Sequence, residues 1–169
     1  MGRLKTGNPL EDECDYGPMA RADLAEELQK QVQESVAKGV EVVLDGGIKE
    51  KGSAYFKPMI LKNVKPGTPA YDEELFGPVA AVIVAKDAQD AIRIANDSRF
   101  GLAGSIWTKD QLNAEKLVSE LNAGNVYINE IVKSDPRLPF GGVKRSGFGR
   151  ELSEHGLKEF VNIKTVFIH

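Results

Sequence analysis

The sequence predicts an α/β fold: a parallel βαβαβ sheet with flanking helices. Three stretches carry that expectation. Residues 79–85 form an apolar run followed by a helical pattern opening at Asp87, with Ala88, Ala91, Ile92 and Ala95 on one side. Residues 102–107 repeat the strand pattern, and Asp110 then opens a second helix bearing Leu117 and Leu121 that Gly124 can close. Residues 125–129 complete the series as a third short strand. Asp before a helical pattern satisfies free amides of the first turn, and glycine after one relieves the last turn. Short apolar strands joined by helical crossovers pair in parallel, with right-handed connections and covered faces.

The elements before this unit are less regular. Residues 1–20 are polar, broken by Pro9, Gly17 and Pro18, and crowd Glu11, Asp12, Glu13 and Asp15 around Cys14. Acidic neighbours disfavour a thiolate, so Cys14 is a poor candidate nucleophile. Over residues 21–38, Leu24, Leu28, Val32 and Val36 recur every fourth position, which predicts an amphipathic helix ended by Gly39. Residues 40–44 read as a strand, Asp45, Gly46 and Gly47 as a turn, and residues 54–61 as a short strand bent or placed at an edge by Pro58. Lys65, Pro66 and Gly67 make the next turn.

After the βαβαβ unit come a last helix over residues 151–160 and a β-prone tail, residues 163–168. The expected organisation is a domain over residues 1–161 and a tail strand over 162–169. That strand pairs with another chain, with a further segment in an interdomain contact, or with this domain's own sheet.

Composition narrows function. Hydrophobic residues at 41% and charged residues at 28% are ordinary for a globular protein. A net charge of −3 provides no basic field for nucleic acid or anionic lipid, and no apolar run reaches the length of a membrane span. Neither a nucleic-acid nor a membrane partner is expected, and the expected location is cytoplasmic. One cysteine and two histidines without metal-ligand spacing point away from a disulfide framework and from zinc.

Ligands of parallel sheets gather where loops leave the carboxyl ends of strands. The longest such loop, residues 130–142, runs into a glycine-dense stretch with four glycines between Gly141 and Gly149. Gly142 and Gly147 have Walker spacing, but Phe148 and Gly149 stand where Lys and Ser or Thr are required. Gly147, Phe148 and Gly149 begin a dinucleotide fingerprint whose third glycine position is Leu152. Both phosphate readings fail. A shaped loop bordering a site and a tight structural turn stay open, as does a weak anion site at Lys144 and Arg145.

Three separated motifs then occur in order: Glu73-Glu74-Leu75-Phe76-Gly77-Pro78-Val79, Phe100-Gly101-Leu102-Ala103, and the stretch from Pro139 to Glu151 followed by Lys164-Thr165-Val166. Together they resemble the C-terminal part of the aldehyde dehydrogenase catalytic domain, over essentially the whole chain. The residues from Asn129 to Leu138 look most like bacterial succinate-semialdehyde dehydrogenases. The resemblance implies NAD- or NADP-dependent oxidation of an aldehyde to an acid. A cysteine attacks the carbonyl, the thiohemiacetal passes hydride to the nicotinamide, and a glutamate-activated water hydrolyses the thioester.

Carried over by motif, Glu74 would accept hydrogen bonds from the nicotinamide ribose, and Phe76 would pack beside the nicotinamide. Ser134 would donate to the substrate's distal carboxylate, with Arg137 adding charge. Taken alone, the same residues also fit a solvated loop acid, a core aromatic and a turn serine. The family's Gly-Gln-x-Cys and Glu-Leu-Gly-Gly strings do not occur in the chain. The resemblance therefore implies a C-terminal fragment, inactive alone, with no catalytic residue of its own. Its expected partners are a small aldehyde in the parent enzyme and further copies in a homo-oligomer; the other possibility is a non-catalytic, self-associating module.

Overall fold

A computed structural model describes residues 1–169. The chain forms two compact units, Met1–Val84 and Ala85–His169.

In the first unit, α1 (Ala22–Ala37) lies over a small sheet. Its buried residues are Ala25, Leu28, Val32 and Ser35, whereas Leu24 and Val36 of the expected stripe stay partly or largely exposed. A stripe spaced by four drifts around a helix of 3.6 residues per turn, and the contact seam follows the 3.6 period. Gly39, at φ 94°, ends the helix. Its amide donates to Val36 O and that of Val40 to Ser35 O, the two bonds of a Schellman motif.

Strand β1 (Glu41–Leu44) follows, then β2 (Gly47–Ile48), β3 (Phe56–Lys57) and β4 (Met59–Lys62), with Pro58 separating the last two. The one-turn helix α2 (Pro69–Asp72) leads to β5 (Val79–Ala81). β1 pairs antiparallel with β4, β4 pairs parallel with β5, and β2 with β3 forms a separate ribbon. Phe56, Met59, Leu61, Val64 and Ala70 close the core beneath α1.

The second unit contains α3 (Ala88–Asn96), β6 (Phe100–Gly101), β7 (Ala103–Ile106), α4 (Gln111–Val118), β8 (Asn125–Ile128), β9 (Val143–Lys144) and α5 (Ser153–Lys158). Asp87 and Asp110 cap α3 and α4, accepting from the amides of Asp90 and Asn113. β7 and β8 pair in parallel over Ala103–Ile106 and Asn125–Ile128, and β6 pairs antiparallel with β9.

The expected continuous βαβαβ sheet thus takes the form of two parallel pairs, β4–β5 and β7–β8. The run over residues 79–85 is not the fully buried strand its composition suggests: Val82, Ile83 and Val84 are exposed. Residues 162–169 carry no strand within this chain, and Ile163, Val166, Phe167 and Ile168 are exposed. An extended segment without a hydrogen-bonding neighbour cannot become a ladder.

Candidate functional site

Glu74 and Phe76 lie in the first unit, Ser134 and Arg137 in the second.

The turn after α2 is pulled tight by two short backbone bonds, Gly77 N–H to Leu75 O at 2.9 Å and Val79 N–H to Gly77 O at 2.8 Å. Gly77 packs against α1, where an added Cβ would stand 2.5 Å from Leu28 Cδ2. That approach turns Phe76 outward, so its ring is 73% exposed. Beside it is a recess of about 310 Å³ lined by Met19, Ala20, Leu24, Leu75, Phe76 and Gly77. From α1, the Gln31 amide donates to Glu73 Oε2 at 2.8 Å and to the Glu74 carbonyl at 3.3 Å. Glu73 is therefore engaged while the exposed Glu74 carboxylate keeps its acceptor sites. An exposed carboxylate can accept from two hydroxyls, and the exposed Phe76 ring over an apolar recess offers a face for a flat group.

In the second unit, Asn129 ends β8 at φ 53°, a conformation asparagine tolerates better than most residues. Its side-chain amide exchanges two hydrogen bonds with the backbone of Thr108, both at 2.8 Å. The following loop is tied at several points. Ser105 Oγ donates to Glu130 O at 2.9 Å, Lys133 Nζ to Glu130 Oε2 at 2.8 Å, and the Tyr127 hydroxyl to Lys133 O at 2.7 Å.

Arg137 is exposed but is not a free cation. Its guanidinium forks onto Asp135, Nε to Oδ1 at 2.9 Å and a terminal nitrogen to Oδ2 at 2.6 Å, and its amide donates to Oδ1 at 2.9 Å. The fork holds the Asp135 carboxyl well below the usual carboxylate range, with the Arg137 amide adding to the effect, and raises the arginine correspondingly. Lys133 likewise lowers Glu130, and Glu130 raises Lys133. Ser134 is exposed between these two ion pairs. The expected charge contribution of Arg137 is thus already engaged by Asp135, a neighbour sequence reasoning left unassigned.

The glycine-dense stretch is shaped for two different reasons. Gly147 and Gly149 have φ of 122° and 79°, which glycine adopts without penalty. Gly141 and Gly142 are needed for space, since an added Cβ would lie 2.7 Å from Gly149 O and 2.5 Å from Ser146 Cβ respectively. Phe140 and Glu151 bridge antiparallel, and Arg150 donates to Gly142 O at 3.0 Å and Gly149 O at 2.7 Å. A concavity of about 830 Å³ opens between this loop and α5, walled by Phe140, Gly142, Phe148, Arg150, Leu157 and Phe160. Lys144 donates to Asn96 O and Ser98 O at the end of α3, so its ammonium serves a helix terminus.

No group of three or more His, Cys, Asp or Glu side chains converges, and no helix is long and apolar enough to cross a membrane. Sequence reasoning missed Gln31, Tyr127 and Asp135. Only Asp135, in a Ser-Asp-Pro-Arg string, had a local signal, that of a turn.

Residues 1–166 match the aldehyde dehydrogenase family. A succinate-semialdehyde dehydrogenase of Escherichia coli K12, described as using NAD(P)+, is 50% identical over 165 residues. That match covers 97% of this chain and 36% of the relative. A probable NADP+ succinate-semialdehyde dehydrogenase of Synechocystis is 44% identical, over 98% of this chain and 36% of its own length. Among solved structures, the succinic semialdehyde dehydrogenase of Streptococcus pyogenes in complex with NADP+ superposes with a TM-score of 0.93 at 34% identity, covering 98% of this chain and 36% of that one. Betaine aldehyde dehydrogenase of Staphylococcus aureus with NAD+ gives 0.89 at 32% identity, covering 94% and 32%. The chain thus spans about a third of the length of these dehydrogenases.

Proposed function

Because the chain belongs to the aldehyde dehydrogenase family, we propose that it supplies the C-terminal portion of an NAD(P)-dependent succinate-semialdehyde dehydrogenase. The observation that carries this reading is the 50% identity to the Escherichia coli relative across 97% of the chain. The exposed apolar faces support it. Residues 82–84 and the surroundings of α5 are patterned for burial yet exposed, as expected of surfaces that further polypeptide covers.

In this reading the chain contributes binding groups and no proton transfer. Glu74 accepts hydrogen bonds from two adjacent ribose hydroxyls, and Phe76 lies beside the nicotinamide. Bound NAD(P)+ supplies the hydride acceptor. Ser134 donates its hydroxyl to the carboxylate at the far end of the substrate. The nucleophile and base come from polypeptide outside residues 1–169, since Cys14 sits among acids with its thiol directed to Tyr16 O at 3.0 Å. The isolated chain is therefore inactive. We place the enzyme in the cytoplasm as a homo-oligomer, with residues 162–169 pairing as a strand with another chain.

The test is a fusion in which this chain replaces the matching segment of the Escherichia coli relative. It should oxidise succinate semialdehyde with NAD(P)+. Glu74→Gln should raise the KM for cofactor, and Ser134→Ala that for the aldehyde. A folded, inactive fusion would refute the reading.

A second reading, a non-catalytic module that self-associates, is favoured by the 101% exposed Phe148 and 92% exposed Phe160. Light scattering on the purified chain decides this: a monomer at all concentrations removes it.

A further inference from the structure

We propose that Tyr127, Asp135 and Arg137 are positioning residues for Ser134. Tyr127 fixes the chain before it, and the Asp135–Arg137 fork fixes the chain after it while cancelling the negative charge that Asp135 would set beside a bound carboxylate. The proposal rests on the reading of Ser134 as a substrate-binding residue.

The Tyr127 hydroxyl reaches from β8 to the Lys133 carbonyl at 2.7 Å, and that carbonyl belongs to the peptide bond leading into Ser134. On the other side Asp135 Oδ1 accepts from the Arg137 amide at 2.9 Å, the Leu138 amide closes onto Asp135 O at 2.9 Å, and the Ser153 amide holds Pro136 O at 3.0 Å. Ser134 is the exposed residue between these anchors.

Stability does not explain the fork. The Arg137 side chain is 86% exposed and that of Asp135 24%, and an ion pair with one end in water contributes little to folding. Geometry and charge do explain it. Glu130, Lys133, Asp135 and Arg137 form two closed pairs, so the segment presents a hydroxyl donor with no net charge next to it. Opening the fork leaves an ionised carboxylate one residue from the hydroxyl that receives an anion, and like charges at that range repel. An aldehyde without a distal carboxylate would not feel the change.

The experiment is steady-state kinetics of the fusion enzyme with succinate semialdehyde and, in parallel, with a neutral aldehyde of similar length. Ser134→Ala, Tyr127→Phe, Arg137→Gln and the double variant Asp135→Asn/Arg137→Gln are compared. Ser134→Ala, Tyr127→Phe and Arg137→Gln should each raise the KM for succinate semialdehyde, Ser134→Ala by about tenfold, the worth of one hydrogen bond to a charged group. None should move the KM for the neutral aldehyde by more than about twofold. The double variant should recover part of the loss of Arg137→Gln, because the exposed charge is gone while the fork stays open; no recovery at all would overturn the charge-cancelling part of the proposal. If Ser134→Ala raises KM and neither Tyr127→Phe nor Arg137→Gln does, the positioning proposal is overturned while the role of Ser134 stands. If Ser134→Ala is silent, both fall. Equal losses with both aldehydes would show that the variants only disturb the fold, and would also overturn the proposal.

Discussion

Gly124 sits where the turn after α4 meets the glycine-dense loop, and replacing it by alanine should force the two apart. The new Cβ would overlap the Gly141 carbonyl oxygen and stand 2.8 Å from the Gly141 carbonyl carbon and 3.1 Å from Gly142 Cα. All three are backbone atoms, so no side-chain rotation relieves the contact. The Gly141 carbonyl also accepts from Asn125 Nδ2 at 2.9 Å, and moving it away costs that bond as well. Overpacking costs about 1–3 kcal/mol, and a lost hydrogen bond about 1 kcal/mol more. We expect about 3 kcal/mol, which for a chain of this size lowers the melting temperature by about 6–12 °C. The assay is thermal unfolding followed by circular dichroism. Gly2→Ala serves as the control, because its Cβ would meet only Leu44, at 3.4 Å. If the two units melt separately, the drop belongs to the transition of residues 85–169. A Gly124→Ala chain melting within about 2 °C of the parent would refute the claim that the loop is packed against this turn.

Other expectations follow from single contacts. Phe56, 1% exposed, anchors the core under α1, so Phe56→Ala should cost about 3–5 kcal/mol and strip amide-exchange protection from the first unit. Asp87→Ala removes the acceptor for the Asp90 amide at 2.8 Å and should cost about 1 kcal/mol in urea unfolding, with the loss confined to α3. Asp135 has a folded pKa below its unfolded value, so its contribution is present above the ordinary carboxylate range and is lost as pH falls through the folded value. Carboxyl-carbon NMR should find Asp135 still ionised below the ordinary carboxylate range; protonation within that range would contradict the fork.

Local chemistry made much of this architecture legible. Asp87 and Asp110 announce helix starts because a short carboxylate before an apolar pattern has one efficient use, and Gly39 announces an end for the matching reason at the other terminus. What was not legible depends on contacts between distant positions. β5 takes β4 as its parallel partner, a choice that no local periodicity encodes. The burial expected at residues 82–84 needs a covering surface, which is likewise a long-range property. At the candidate site, Glu74, Phe76 and Ser134 could be named by motif. The capture of Arg137 by Asp135 could not, because in sequence a cation near a serine is equally open to a ligand and to a neighbouring carboxylate. The hydroxyl of Tyr127 gave no sign that it would hold the loop.

The most direct measurement is nicotinamide reduction, followed by absorbance with succinate semialdehyde and NADP+, for residues 1–169 alone and for the same residues fused to the rest of the Escherichia coli relative. Turnover by the fusion and none by the isolated chain is the predicted result. Turnover by the isolated chain, or a folded fusion that reduces no cofactor, would contradict it.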